Sequence, residues 1–179
     1  MNINELKKLI KDSLDDLYDK DNYLIINDLG ERCIVHRFAL YLENRFLNNQ
    51  GYYIDCEYNK AYSDNGGIET KKVISENGNA IDIVATKRNN NPEDDLFCFE
   101  IKKWNNNDSE GARRDKDKLM VLTGLMLPIN FETRATISNG IFRYKFGIFL
   151  VVAAQKNDVK LDIYKQGFRD PEEVTYSDL

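Results

Sequence analysis

A chain of 179 residues, 42% hydrophobic and 11% aromatic, can build one domain with a sizeable core and is short for two. The formal net charge of −5 and sequence pI of about 5.0 argue against a protein that coats nucleic acid by bulk electrostatics. No apolar run approaches the roughly 20 residues a bilayer requires, and the opening MNINELKK lacks the apolar region of a secretion signal, so a cytoplasmic protein without a membrane partner is expected.

Three dispersed cysteines, Cys33, Cys56 and Cys98, form no C-x-x-C pair, which predicts reduced thiols buried as small hydrophobes. With one histidine in the chain, zinc ligation is not expected.

In chain order, Leu6, Leu9, Ile10, Leu14, Leu17 and Tyr18 recur at three- and four-residue steps, predicting a packing helix within residues 1–20, opened by an Asn2/Glu5 capping box. The charges of residues 11–20 read as its solvated face. A second helix is expected over residues 29–47, its apolar arc being Ile34, Val35, Phe38, Leu42 and Phe46. Glu31 projects into the middle of that arc, whereas His36 and Arg37 do not. Two readings of Glu31 stand side by side: the partner of Asp28 in a capping box, or an acid aimed at the sheet.

The alternation of Tyr52, Ile54, Cys56 and Tyr58 marks a first strand, with Asp55 and Glu57 on its other, solvent-facing side. Residues 61–79 are rich in Gly, Asn and Ser and predict an irregular hairpin or flap around a β-like run at 70–75. Two apolar runs follow, AIDIVATKR and LFCFEIKKW, joined by a polar turn at residues 89–95. Strand side chains alternate faces, so Cys98, Glu100 and Lys102 share one side and Phe97, Phe99 and Ile101 the other. An acid and a base on one face of an apolar interior strand need a reason.

Asn105 to Ser109 reads as a loop ending in a helix N-cap, and residues 110–127 as a helix burying Ala112, Leu119, Leu122 and Met126, stopped by Pro128. Arg113, Arg114, Lys116 and Lys118 lie along its opening turns, either salt-bridged to Asp115 and Asp117 or set to grip phosphate. The segment Phe142-Arg143-Tyr144-Lys145 mixes bases with aromatics, as a nucleic-acid contact or a strand edge would. Residues 146–154 predict a buried strand and 159–164 its hairpin partner; the acidic end, 169–179, is expected to fray.

An Asp in a short apolar run (Ile81-Asp82), then a hairpin, then Glu100-Ile101-Lys102 closing the next strand resembles the PD-(D/E)xK nuclease superfamily. Ile81 stands where that family usually has Pro. The resemblance covers residues 29–161. It implies an α/β chain with a restriction-endonuclease-like three-layer α/β/α core: a mixed sheet of four to five strands flanked by helices, plus the extra N-terminal helix, in one domain spanning 1–179.

By function it implies a metal-dependent nuclease acting on nucleic acid, DNA before RNA. Asp82 and Glu100, with the Ile101 carbonyl and Glu31, would hold Mg²⁺, or Mn²⁺ as a substitute. Lys102 would steer or deprotonate the attacking water, the electrostatic role being preferred because two neighbouring carboxylates raise its pKa. Arg113, Arg114, Lys118 and Arg37 are the candidate phosphate contacts, and a homodimer is left open. The other reading is a non-catalytic domain of the same fold that binds nucleic acid or a protein.

Overall fold

The computed structural model describes residues 1–46, 51–58, 60–62, 68–70, 80–89, 94–124 and 144–179. Helix α1 spans Ile3–Ile26 and opens with the Asn2/Glu5 capping box that the sequence predicts. It runs past residue 20, the expected end, and kinks at Asp21, whose backbone leaves helical geometry. Tyr41 and Arg37 bind the Asp21 carboxylate, Arg37 through its Nε at 2.6 Å, so the kink is tied to the next helix.

That helix, α2, spans Glu31–Arg45, shorter than the expected 29–47. Ile34, Val35, Phe38 and Leu42 are buried as the periodicity predicts, and His36 is exposed. Arg45 reaches back to Asp16 at 2.8 Å, while Arg37 reaches Asp21, so α1 and α2 lie as an antiparallel pair.

Among the described residues the main sheet has seven strands, where four to five are expected. They are β1 (Tyr53–Tyr58), β4 (Ile81–Thr86), β5 (Asp95–Lys103), β6 (Phe146–Val152), β7 (Lys160–Lys165), β8 (Phe168–Arg169) and β9 (Val174–Thr175). Their order is β1-β4-β5-β6-β7-β8, with β9 also on β7. Among the described strands only β5 and β6 pair in parallel, and the connection between them carries α3 (Ser109–Leu122). Two short strands, β2 (Lys60–Tyr62) and β3 (Ile68–Thr70), form a separate hairpin; the rest of the expected β-like run at 70–75 lies outside the described residues.

Alternation along β5 sorts the layers. Phe97, Phe99 and Ile101 join the core beneath α1 and α2, whereas Cys98 joins Leu119 and Leu122 of α3 on the opposite face. An edge-to-face aromatic series, Phe38–Phe99 at 5.7 Å, Phe99–Phe97 at 5.5 Å and Phe97–Phe46 at 5.8 Å, fixes α2 on β5; each such contact adds about 0.5–1.5 kcal/mol beyond its burial. Gly147 lets α3 sit close on β6, since a Cβ there would lie 3.0 Å from Thr123 Cγ2.

Three expectations need correction. Cys33 and Cys56 are exposed, and only Cys98 is buried. Tyr144 is buried, with its amide on the Leu122 carbonyl, so it is core and not a strand edge or a nucleic-acid contact. The C-terminal segment is docked: Val174 pairs with Leu161, and the Tyr176 hydroxyl donates to Asp15 at 2.5 Å, because its apolar residues find the sheet edge and α1. The sheet therefore extends beyond residue 161, the expected limit of the core. Among the described residues no helix is long and apolar enough to cross a membrane.

A buried charge network as candidate active site

The register of β4 on β5 pairs Val84 with Cys98 and Ile83 with Phe99, which carries Asp82 on towards the end of β5 where Glu100 and Lys102 lie. Past this pair the Asp82 carboxylate takes over from the backbone ladder: its Oδ2 accepts the Ile101 amide at 2.7 Å. Ile101 thus meets the site through its N–H. Burial pushes the Asp82 carboxyl up to about 6; the Ile101 amide, Lys102 and Lys118 oppose this, and Glu31 adds to it.

Glu31 comes from the first residue of α2. The capping-box reading is corrected here: Gly30 is the N-cap and makes no side-chain cap, so Glu31 is not spent on its own helix. Its Oε2 accepts the Lys103 amide at 3.2 Å and the Asn106 side chain at 3.4 Å, and its Oε1 lies 3.6 Å from Lys102 Nζ. Asp28, in the turn before it, adopts a positive φ of 55° and binds both Lys103 Nζ and, at 2.8 Å, Asn105. The α1–α2 turn is thereby fastened to the end of β5, and Glu31 is held over it.

Helix α3 supplies the opposite wall. Asp115 Oδ2 lies 2.9 Å from Lys102 Nζ, and Asp115 Oδ1 lies 3.8 Å from Lys118 Nζ. Lys118 in turn sits 2.5 Å from Glu100 Oε1 and donates to the Ala80 carbonyl at 3.3 Å. Charges of alternating sign therefore run Glu31, Lys102, Asp115, Lys118, Glu100 across three elements. The inner part is nearly sealed, with Glu100 2%, Lys118 4% and Asp115 8% exposed. Including Asp82, four carboxylates face two ammonium groups.

That excess shows in the titration behaviour. Burial lifts the Glu100 carboxyl well above its usual range, with Asp82 and Asp115 adding and Lys118 opposing. Burial alone would lower Lys102, but Asp115, Glu31 and Asp82 hold its pKa above the ordinary lysine value, so it stays an ammonium ion.

The phosphate-contact candidates separate. Lys118 is buried inside the network. Arg113 pairs with Asp117 at 3.2 Å and Arg114 with Glu110 at 3.3 Å on the exposed face of their own helix, the salt-bridged alternative. Arg37 is engaged at Asp21. Glu57, paired with exposed Arg32 at 3.1 Å, stays on the outer edge. Asp115 is the residue that sequence reasoning missed, since in the sequence it is one of two acids that screen the neighbouring bases. Its spacing of three from Lys118 was the available signal, since it puts both on the one helical face that turns to the sheet.

Among the described residues no group of three or more His, Cys, Asp or Glu side chains is arranged to hold a metal ion. A pair suits Mg²⁺, which takes one or two carboxylates and completes its shell with water and substrate oxygens. The hard-oxygen chemistry of Asp82 and Glu100 and the surplus of carboxyl groups over ammonium groups fit such an ion, provided Lys118 yields an oxygen of Glu100. Comparison with protein-family models, curated proteins and solved structures gave no match, so the chemistry rests on this geometry.

Proposed function

We propose that the chain is a metal-dependent nuclease that hydrolyses phosphodiester bonds of nucleic acid, DNA being favoured, on a sheet-and-helix core of the restriction-endonuclease-like type. What carries the reading is the meeting of Asp82, Glu100, Lys102 and Glu31 at one end of β4 and β5, where carboxyl groups outnumber ammonium groups.

Phosphodiester hydrolysis needs concentrated positive charge and a poised water, both of which a bound divalent cation supplies. Asp82 and Glu100 are the residues that would hold it, with Glu31 at the rim. Lys102 is held protonated by Asp115 and Glu31, so its part is to stabilise charge on the phosphate and orient the incoming water through an N–H; it does not take a proton. Helix α3 covers Glu100, which is 2% exposed, and the exclusion of water there strengthens each of these interactions.

The deciding experiment is cleavage of plasmid, linear duplex and single-stranded substrates with Mg²⁺ or Mn²⁺ by the wild type, Asp82→Ala and Lys102→Met. Loss in both variants supports the site; activity that survives both rules it out.

One observation favours a second reading, a non-catalytic nucleic-acid- or protein-binding domain: Lys118 already sits on Glu100, so the network is largely paired without a metal. Calorimetric titration with Mn²⁺ separates the two, because a purely structural network gives no heat that depends on Asp82 and Glu100.

A further inference from the structure

We infer that Asp115 is a positioning residue that aims the Lys102 ammonium while Lys118 braces its other oxygen, a role that rests on the nuclease reading of the site. Each oxygen has its own lysine: Oδ2 is 2.9 Å from Lys102 and Oδ1 is 3.8 Å from Lys118. The two ammonium groups come from different elements, β5 and α3, and face different partners, Glu31 on one side and Glu100 on the other. Asp115 is the only described group that lies within ion-pair distance of both lysines.

Its placement is firmly built. Lys116, the next residue, reaches Asp162 of β7 at 2.8 Å and lies over the Phe149 ring of β6. Leu119 and Leu122 are buried against the sheet, and the Asp108 carboxylate caps the helix through the Gly111 amide at 2.8 Å. Helix α3 is thus locked to β6 and β7, and the Asp115 carboxylate has little room to drift. A long lysine side chain loses much rotamer freedom when it is fixed, so an acid anchored this way decides where the Lys102 ammonium points. The ion pairs of Asp115 go to the two lysines and not to the proposed metal carboxylates, so it acts through Lys102.

The test is a kinetic cycle of Asp115→Asn, Lys102→Met and the double variant, with Asp115→Glu as the conservative replacement. Asp115→Asn is expected to lower kcat by about 10–100-fold with KM within about twofold, the signature of a misplaced catalytic group. The double variant is expected to be no slower than Lys102→Met alone, and Asp115→Glu to recover part of the rate. A loss in Asp115→Asn that multiplies onto that of Lys102→Met, or a kcat equal to wild type, overturns the assignment. Urea unfolding of wild type, Asp115→Asn, Lys102→Met and the double variant gives a readout without activity: the double variant loses less stability than the two single losses combined, and simple additivity overturns it. If the wild type cleaves nothing, the nuclease reading fails while the unfolding cycle still decides whether Asp115 holds Lys102.

Discussion

The Lys118 ammonium lies 2.5 Å from Glu100 Oε1, and the two residues are 4% and 2% exposed. A lysine read from sequence as a surface phosphate contact is the internal counter-ion of the most buried acid in the site. An apolar strand can carry Glu100 because α3 brings its own cation to it.

Removing that cation leaves Glu100 with Asp82 and Asp115 as its charged neighbours. Lys118→Met is expected to lower stability by about 3–5 kcal/mol at pH 7.5, the range for breaking one side of a buried pair. Adding Glu100→Gln should restore part of the loss, since the orphaned charge then disappears. Urea denaturation of wild type, both single variants and the double checks this, and strictly additive losses would show that the pair is not coupled.

Stability should fall as pH rises through the weakly acid range. Burial, with Asp94 nearby, lifts the Asp95 carboxyl to about 7 from the 3.8 of an unperturbed side chain. A folded-state pKa above the unfolded one means that the native chain binds the proton more tightly. Its advantage is complete below about pH 4 and lost by about pH 7, worth up to about 4 kcal/mol at about 1.4 kcal/mol per unit. Asp82, raised to about 6, adds a smaller loss of the same sign. Asp95→Asn should be more stable than wild type at pH 8 and no more stable at pH 4. Thermal unfolding at the two pH values decides it.

Trp104 is the single tryptophan of the chain and is 54% exposed, one residue beyond the Lys103 amide that binds Glu31. Its own amide donates to Val152 at 3.0 Å, and both its neighbours are tied to Asp28, so the ring stands at the site's edge on a fixed backbone. Nucleic acid bound across the site should change its emission. A titration with single-stranded oligonucleotide in EDTA is expected to quench it saturably, as base stacking does. Emission that stays constant while anisotropy reports binding would place the nucleic acid elsewhere.

Arg113 and Arg114 sit in exposed i, i+4 pairs, which are worth about 0.3–0.5 kcal/mol each. Replacing both with alanine should leave nucleic-acid affinity within about twofold at 150 mM salt. A drop of tenfold or more would show that they grip phosphate after all.

The sequence disclosed what repeats. Period two along β5 separated Glu100 and Lys102 from the phenylalanines, and the 3.6 period of α2 put Glu31 over the sheet, so local geometry carried half of the site. The other half came from tertiary pairing. Spacing puts Asp115 and Lys118 on one helical face, but nothing local says that this face meets β5 and not solvent, because a mixed charge run on an exposed helix looks the same. Likewise Cys56 alternates with Ile54 as a core residue would, yet β1 is the edge strand and leaves it exposed. The short strands β8 and β9 fell below any periodic signal: two residues define no alternation.

The sharpest consequence concerns metal and Lys118 together, for both claim Glu100. A divalent cation on Asp82 and Glu100 must displace an ammonium ion that is 2.5 Å from Oε1, and that displacement weakens the metal's hold. Lys118→Met removes the competitor, so its Mn²⁺ affinity at pH 8 should rise, by at least about tenfold if the exchange costs about 1.4 kcal/mol. Asp82→Asn should abolish the binding in either background, since one buried carboxylate does not hold the ion. Isothermal titration of wild type, both single variants and the double variant gives the answer. Unchanged or weaker binding in Lys118→Met would mean that metal and lysine occupy separate places, and Glu100 would then leave the ligand set.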